Sequence, residues 1–179
     1  ERTDLDAPIP TVDSANAILR AGGVGGVDFG LSRAQTITAL EAEFGVPVTY
    51  QPFEGCVTTG YATVGDFLVV EFWGDEEGDE TGFEAWHYGG PNWLEEILGG
   101  TLNDIGLTTE SGIGVGSSLA EVVAVGGSAS GGYDDNWGAG IWYENQSIAG
   151  LLSADMTDPA AAVTSLSGGR AGAPARMVC

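Results

Sequence analysis

The side chains able to do chemistry are few in kind and lopsided in charge. The chain carries one histidine, two cysteines and no lysine, against 26 carboxylates. A Ser-His-Asp hydrolase needs its histidine beside a presented serine. The sole histidine, His87, stands between Trp86 and Tyr88 in a stretch that reads as a strand. No G-x-S-x-G elbow occurs: Gly126-Gly-Ser-Ala-Ser-Gly131 approaches the pattern but lacks its spacing. A lone strand histidine is read as a packing or surface residue, and catalysis by an activated serine is not expected. One imidazole and two distant thiolates are also too few ligands for a structural zinc site.

Calcium asks only for hard oxygens. Asp75, Glu76, Glu77, Asp79 and Glu80 offer them, with Gly78 among them to permit a sharp turn. The spacing is not that of an EF-hand, so the segment reads either as a Ca2+ site or as a solvated acidic loop. Tyr133-Asp-Asp-Asn-Trp137 is a second such candidate. Glycoside hydrolysis needs two carboxylates across a cleft, and in so acidic a chain some pair always fits, so that pattern carries no information. No enzyme is expected, and no cofactor beyond Ca2+.

The aromatics point to binding. Five tryptophans are many for 179 residues, and tryptophan and tyrosine dominate interface hot spots. Trp93, after Gly89-Gly-Pro-Asn92, and Trp137, after Asp134-Asp-Asn136, are expected at the surface. Trp73, Trp86 and Tyr133 complete the candidate recognition set. Alternation along strands is expected to bury at least half of the tryptophans.

Composition narrows the partner. A net charge of −21 repels nucleic-acid phosphates and anionic lipid. The same excess of acid serves as a solubilising coat or recruits a basic partner. The longest apolar runs, such as Phe67-Leu-Val-Val70, are far too short to span a bilayer. The chain opens Glu1-Arg2-Thr3-Asp4, as a mature product would after loss of a leader, which predicts export to the medium or cell envelope. Cys56 and Cys179 then read as one disulfide of an oxidising compartment, worth about 4–5 kcal/mol in the chain-entropy model.

Several elements must position these groups. Residues 1–27 read as an arm and glycine-rich hinge, with Asp13–Arg20 able to make two helical turns. Leu31–Gly45 reads as a helix, capped by Ser32 with Gln35 completing a capping box and ended by Gly45 and Pro47. Strand signals follow at 46–50, 56–63, 67–73 and 82–88, the last two as hairpin arms around the acidic segment, and 92–98 reads as a short helix or loop. The second half repeats the plan. Ser117–Val125 has a serine followed by apolar residues at helical spacing, and a shift of 85 positions lays Ser32 on Ser117. Strand-like stretches then follow at 137–143, 147–153 and 162–166. Helix then strands, twice, predicts an α+β fold of two tandem helix-plus-antiparallel-sheet repeats, 28–100 and 101–179.

The stretch Gly114-Val-Gly-Ser-Ser-Leu-Ala-Glu-Val122, introduced by Leu107-Thr-Thr109, resembles a repeat of exported actinobacterial proteins and lipoproteins, as does Val163-Thr-Ser-Leu-Ser-Gly-Gly169 with the terminal Cys179. The helix-plus-sheet plan is similar to the two halves of the β-lactamase-inhibitory proteins. The resemblance implies export, a tandem α+β fold and protein recognition on a sheet face. Inhibition is not implied, because the inhibitors' contact residues have no counterparts here one by one.

The expected function is therefore a secreted or cell-surface protein-binding module with an acidic, tryptophan-containing surface, its partner another exported protein. The alternatives are a self-assembling structural protein dependent on Ca2+ or salt, and a carbohydrate-binding domain. Salt should weaken the first, promote the second and leave the third almost unchanged.

Overall fold

The computed structural model describes residues 18–55, 58–74, 80–90, 102–129, 141–144, 147–153 and 157–170. In chain order the elements are β1 (Ile18–Arg20), β2 (Gly23–Val24), β3 (Val27–Asp28), α1 (Arg33–Phe44), β4 (Val48–Gly55), β5 (Thr58–Val64), β6 (Leu68–Gly74) and β7 (Glu80–Gly89). After them come β8 (Thr108–Thr109), α2 (Leu119–Ala124), β9 (Ser128–Ala129), β10 (Ile141–Glu144), β11 (Ile148–Leu152) and β12 (Val163–Gly169).

The serine caps are where they were expected, with one shift. Ser32 accepts from the Gln35 amide while the Gln35 side chain returns to the Ser32 backbone, and Gly45 ends α1 in the left-handed region at φ 65°. In α2 the cap is Ser118, not Ser117. Only Ser118 places Glu121 at the third helical position, where its carboxylate accepts from the Ser118 amide at 2.7 Å. Ser117 closes the preceding turn instead, its hydroxyl accepting from Gly114 N at 3.1 Å.

The α+β expectation is wrong: the fold is mainly β. Half of the described residues lie in strands, in two sheets, and the two helices are short. Strands β1, β2, β3 and β8 make a small sheet, and the other eight make one large sheet in the order β4-β5-β6-β7-β12-β11-β10-β9. Every pairing in the large sheet is antiparallel. Two capped helices of 12 and 6 residues cannot cover so broad a sheet as the helical layer of repeat units. The strands of both halves instead share one sheet and one core.

Residues 18–28, read as the end of an arm and a hinge, are strand. Leu19 pairs with Val24, and Val24 with Val27. All three are buried and lie in the main core with Leu40 and Phe44 of α1. Ile18–Arg20 therefore does not continue the helical turns read for 13–20.

Alternation divides the large sheet into two faces. Ala62, Val64, Leu68, Val70, Phe72, Trp86, Tyr88 and Leu166 are buried in the main core, against α1 and the small sheet. Their neighbours in sequence turn the other way, where Tyr61, Val69 and Leu102 form a second, smaller cluster with Phe53. The segment 102–107 serves both clusters, since Leu107 is in the main core. It is fastened where Asn103 N donates to Asp66 O at 2.7 Å. A second fastening is the Tyr88 hydroxyl, which accepts from Ile105 N at 2.8 Å and Leu107 N at 3.1 Å and donates to Asp104. No helix among the described residues is long and apolar enough to cross a membrane.

Candidate functional site

Register brings three groups together that lie far apart in sequence. His87 of β7 stands opposite Ser167 of β12 on one side and Val69 of β6 on the other. Glu71, two residues beyond Val69, projects from the same face. His87 Nδ1 is 3.0 Å from Ser167 Oγ. His87 Nε2 is 3.1 Å from Glu71 Oε1, at ion-pair distance but outside hydrogen-bond alignment. The second Glu71 oxygen accepts from Trp73 Nε1 at 2.8 Å. The row Trp73–Glu71–His87–Ser167 thus crosses three neighbouring strands on the face away from the main core.

The row is almost dry. Glu71 and His87 retain 3% and 5% of their surface, and Ser167 is half-buried. Tyr61 lies directly across from Glu71. Burial pushes the Tyr61 hydroxyl well above the ordinary tyrosine range, and the Glu71 charge pushes it further. On the other face Tyr88 is also raised, first by burial and then by its hydrogen bond to Asp104.

A serine, a histidine and a carboxylate in line are the components of a hydrolytic triad, but the presentation differs from one. In that template the serine is held at Nε2 and the acid at Nδ1; here the two ends are exchanged. Ser167 also lies within a central strand whose backbone is paired on both sides, to His87 and to Ala149. Neighbouring amides engaged in a ladder are not free to receive an oxyanion. What the arrangement does chemically is give a buried carboxylate one indole N–H donor and set an imidazole at ion-pair distance from its other oxygen.

The residues expected at a binding surface are scattered. Trp86 is fully buried in the main core, its ring nitrogen donating to Arg20 O at 3.0 Å, so it is a core residue and not a contact. Trp73 is half-buried and committed to Glu71. Glu80, read as a Ca2+ ligand, holds Arg33 instead: its carboxylate accepts from Arg33 N at 3.3 Å and pairs with the guanidinium at 3.3 Å. Trp93, Trp137, Tyr133, Asp75, Glu76, Glu77, Asp79, Cys56 and Cys179 lie outside the described residues. Among the described residues no cluster of three or more histidine, cysteine or carboxylate side chains is placed to hold a metal.

Residue patterns had pointed away from the row itself. Glu71 carried one signal, a lone acid inside the apolar run Phe67–Trp73, because a charge in a buried strand must be paired. Ser167 carried none, since nothing short of the register places it beside His87.

Charge is the other feature of the described surface. Each of the three described arginines is already matched within the chain: Arg20 to Asp28 at 2.7 Å, Arg33 to Glu80 at 3.3 Å, Arg170 to Glu84 at 2.9 Å. Arg33 also lies 4.4 Å above the Tyr50 ring. Glu41, Glu43, Asp66, Glu110 and Asp158 are exposed and meet no arginine among the described residues. Comparison with known protein families, with characterised proteins and with solved structures finds no match to this chain.

Proposed function

We propose that the protein is an exported, non-enzymatic binding module that recognises a basic protein partner through its acidic surface. The observation that carries this reading is the internal use of the arginines. With Arg20, Arg33 and Arg170 paired within the chain, the exposed Glu41, Glu43, Asp66, Glu110 and Asp158 face solvent with no arginine beside them among the described residues. A surface of that kind steers a positively charged partner and rejects acidic ones. The resemblance of residues 114–122 and 163–169 to exported actinobacterial proteins agrees with a place outside the cell.

The other readings draw less support. Self-assembly by strand addition wants an open edge, and β4, the longer of the two outer strands of the eight-stranded sheet, is poorly suited to it. Pro52 has no amide to offer, and the Val48 amide already donates to Glu41 Oε1 at 3.3 Å. The carbohydrate reading loses Trp86 to the core and rests on Trp93 and Trp137. Catalysis is disfavoured by the exchanged ends of the Ser167–His87–Glu71 row.

The test is recovery of the native protein from its own culture fluid across a salt series, with calcium and with chelator, followed by mass spectrometry. The reading expects a distinct basic protein at near-equal amount, released as salt rises. Recovery of this chain alone, in assemblies that grow with salt or calcium, would replace it with the structural reading.

A further inference from the structure

The eight-stranded sheet consists of two four-stranded meanders, β4–β7 and β9–β12, which are joined where β7 pairs with β12. That seam is built differently from the pairing beside it. Between β6 and β7, Leu68 faces Tyr88, Val70 faces Trp86 and Phe72 faces Phe83, so large apolar side chains meet across the strands. Between β7 and β12, Ser165 faces Gly89, Ser167 faces His87, Gly168 faces Trp86 and Gly169 faces Ala85, and Leu166 with Tyr88 is the one pair of large side chains.

Cross-strand side-chain pairs are the unit that stabilises a sheet, and a glycine- and serine-rich strand specifies its register weakly. Strand β12 offers β7 two apolar fits, Leu166 opposite Tyr88 and Gly168 under the Trp86 ring. Polar ties stand where apolar pairs are thin. His87 contacts Ser167 at 3.0 Å across a separation of 80 residues. Arg170 Nη1 donates to Glu84 Oε1 at 2.9 Å across 86 residues, and Arg170 N donates to Glu84 O at 2.8 Å.

We propose that the Glu71–His87–Ser167 row is the register lock of this seam. Glu71, held by Trp73, stands at ion-pair distance on one side of the imidazole, and Ser167 Oγ lies within hydrogen-bond distance of Nδ1 on the other. A slip of β12 by one residue would bring Leu166 or Gly168 to His87, leave the buried imidazole without its hydroxyl, and turn Ser167 onto the apolar face. The rim pair Glu84–Arg170 closes the end of the seam. The meanders on either side are then the units into which the sheet parts when the lock is removed.

Native-state hydrogen exchange on Ser167→Ala and His87→Phe tests this. The expected result is a loss of protection at β7 and β12 amides at least tenfold greater than at β4 and β5 amides, with Ser167→Thr, which keeps the hydroxyl, restoring it. Equal loss across both meanders, no loss at the seam, or failure of Ser167→Thr to restore protection would overturn the proposal. If His87→Phe does not fold, the Ser167→Ala and Ser167→Thr pair decides the matter alone.

Discussion

Strands β6 and β7 show two ways of filling a sheet surface with residues that alternate along the same backbone. Val70, Phe72, Trp86 and Tyr88 turn to one face and are closed over by α1 and the small sheet. Val69, Glu71 and His87 turn to the other, where a carboxylate and an imidazole are buried on the side of the smaller apolar cluster of the described residues. The apolar face contributes burial, which is large and non-directional. The polar face contributes contacts that need one distance and one partner. The first makes a sheet form; the second selects which strand meets which.

Two substitutions should break that contrast from opposite sides. Trp86→Ala empties the largest fully buried side chain of the apolar face and removes the bond to Arg20 O. A loss of about 3–5 kcal/mol is expected, read by urea denaturation. On the polar face Glu71→Ala leaves the Trp73 ring nitrogen without its acceptor and removes the carboxylate beside His87. Leaving a donor without its acceptor costs about 1–3 kcal/mol. The double variant Glu71→Met/His87→Leu sharpens the point, because apolar replacement of a whole buried pair is expected to leave stability near the parent value. If that double variant also keeps a single set of amide resonances along β12, the polar face has no role in specificity.

Much of the first meander was legible in the residue order, because strong periods survive without knowledge of partners. The helix at α1, its cap at Ser32 and its stop at Gly45 follow from local chemistry that operates within a few residues. The strands β5, β6 and β7 announce themselves by β-branched and aromatic residues. The fold class was misread because two serine caps suggested two helical layers, while α2 is only 6 residues long. Strands β1–β3 have two or three residues each, too few to show any period. They form because tertiary pairing of Leu19, Val24 and Val27 overrides a glycine-rich sequence. The candidate site was the least legible part. A lone histidine reads as bland until register places Ser167 opposite it, and register is a property of pairs 80 residues apart.

The two tyrosines buried among the described residues carry the comparison into alkaline solution. Both hydroxyls are raised, Tyr88 by burial and then Asp104, Tyr61 by burial and then the Glu71 charge. A group whose folded pKa exceeds its unfolded one contributes its full share below the unfolded value, about 10 for tyrosine. That share is lost as pH rises from there through the folded value. Stability should therefore fall above about pH 10, in thermal melts followed across pH. Tyr88→Phe and Tyr61→Phe should each flatten part of the fall. Were the two Phe variants to leave the alkaline slope of the parent intact, buried tyrosine on neither face would account for it.

The smallest expected effect separates the two helix caps. The box at α1 closes through the neutral Gln35 side chain, whereas the box at α2 closes through Glu121. The Ser118 amide, and then the Ser118 hydroxyl, hold the Glu121 carboxyl below its ordinary value. A depressed carboxylate stabilises above its unfolded pKa and loses that contribution as pH falls through the folded one. Amide protection factors in α2 should therefore decline in acid, while those of α1 beyond Arg33, whose amide donates to Glu80, hold steady because the Ser32–Gln35 box has nothing to titrate. Glu121→Gln should give α2 the same acid behaviour as α1. If the α2 amides decline in acid to the same degree with Gln at this position, the carboxylate of the box is not the group being lost, and the difference between the caps is one of sequence alone.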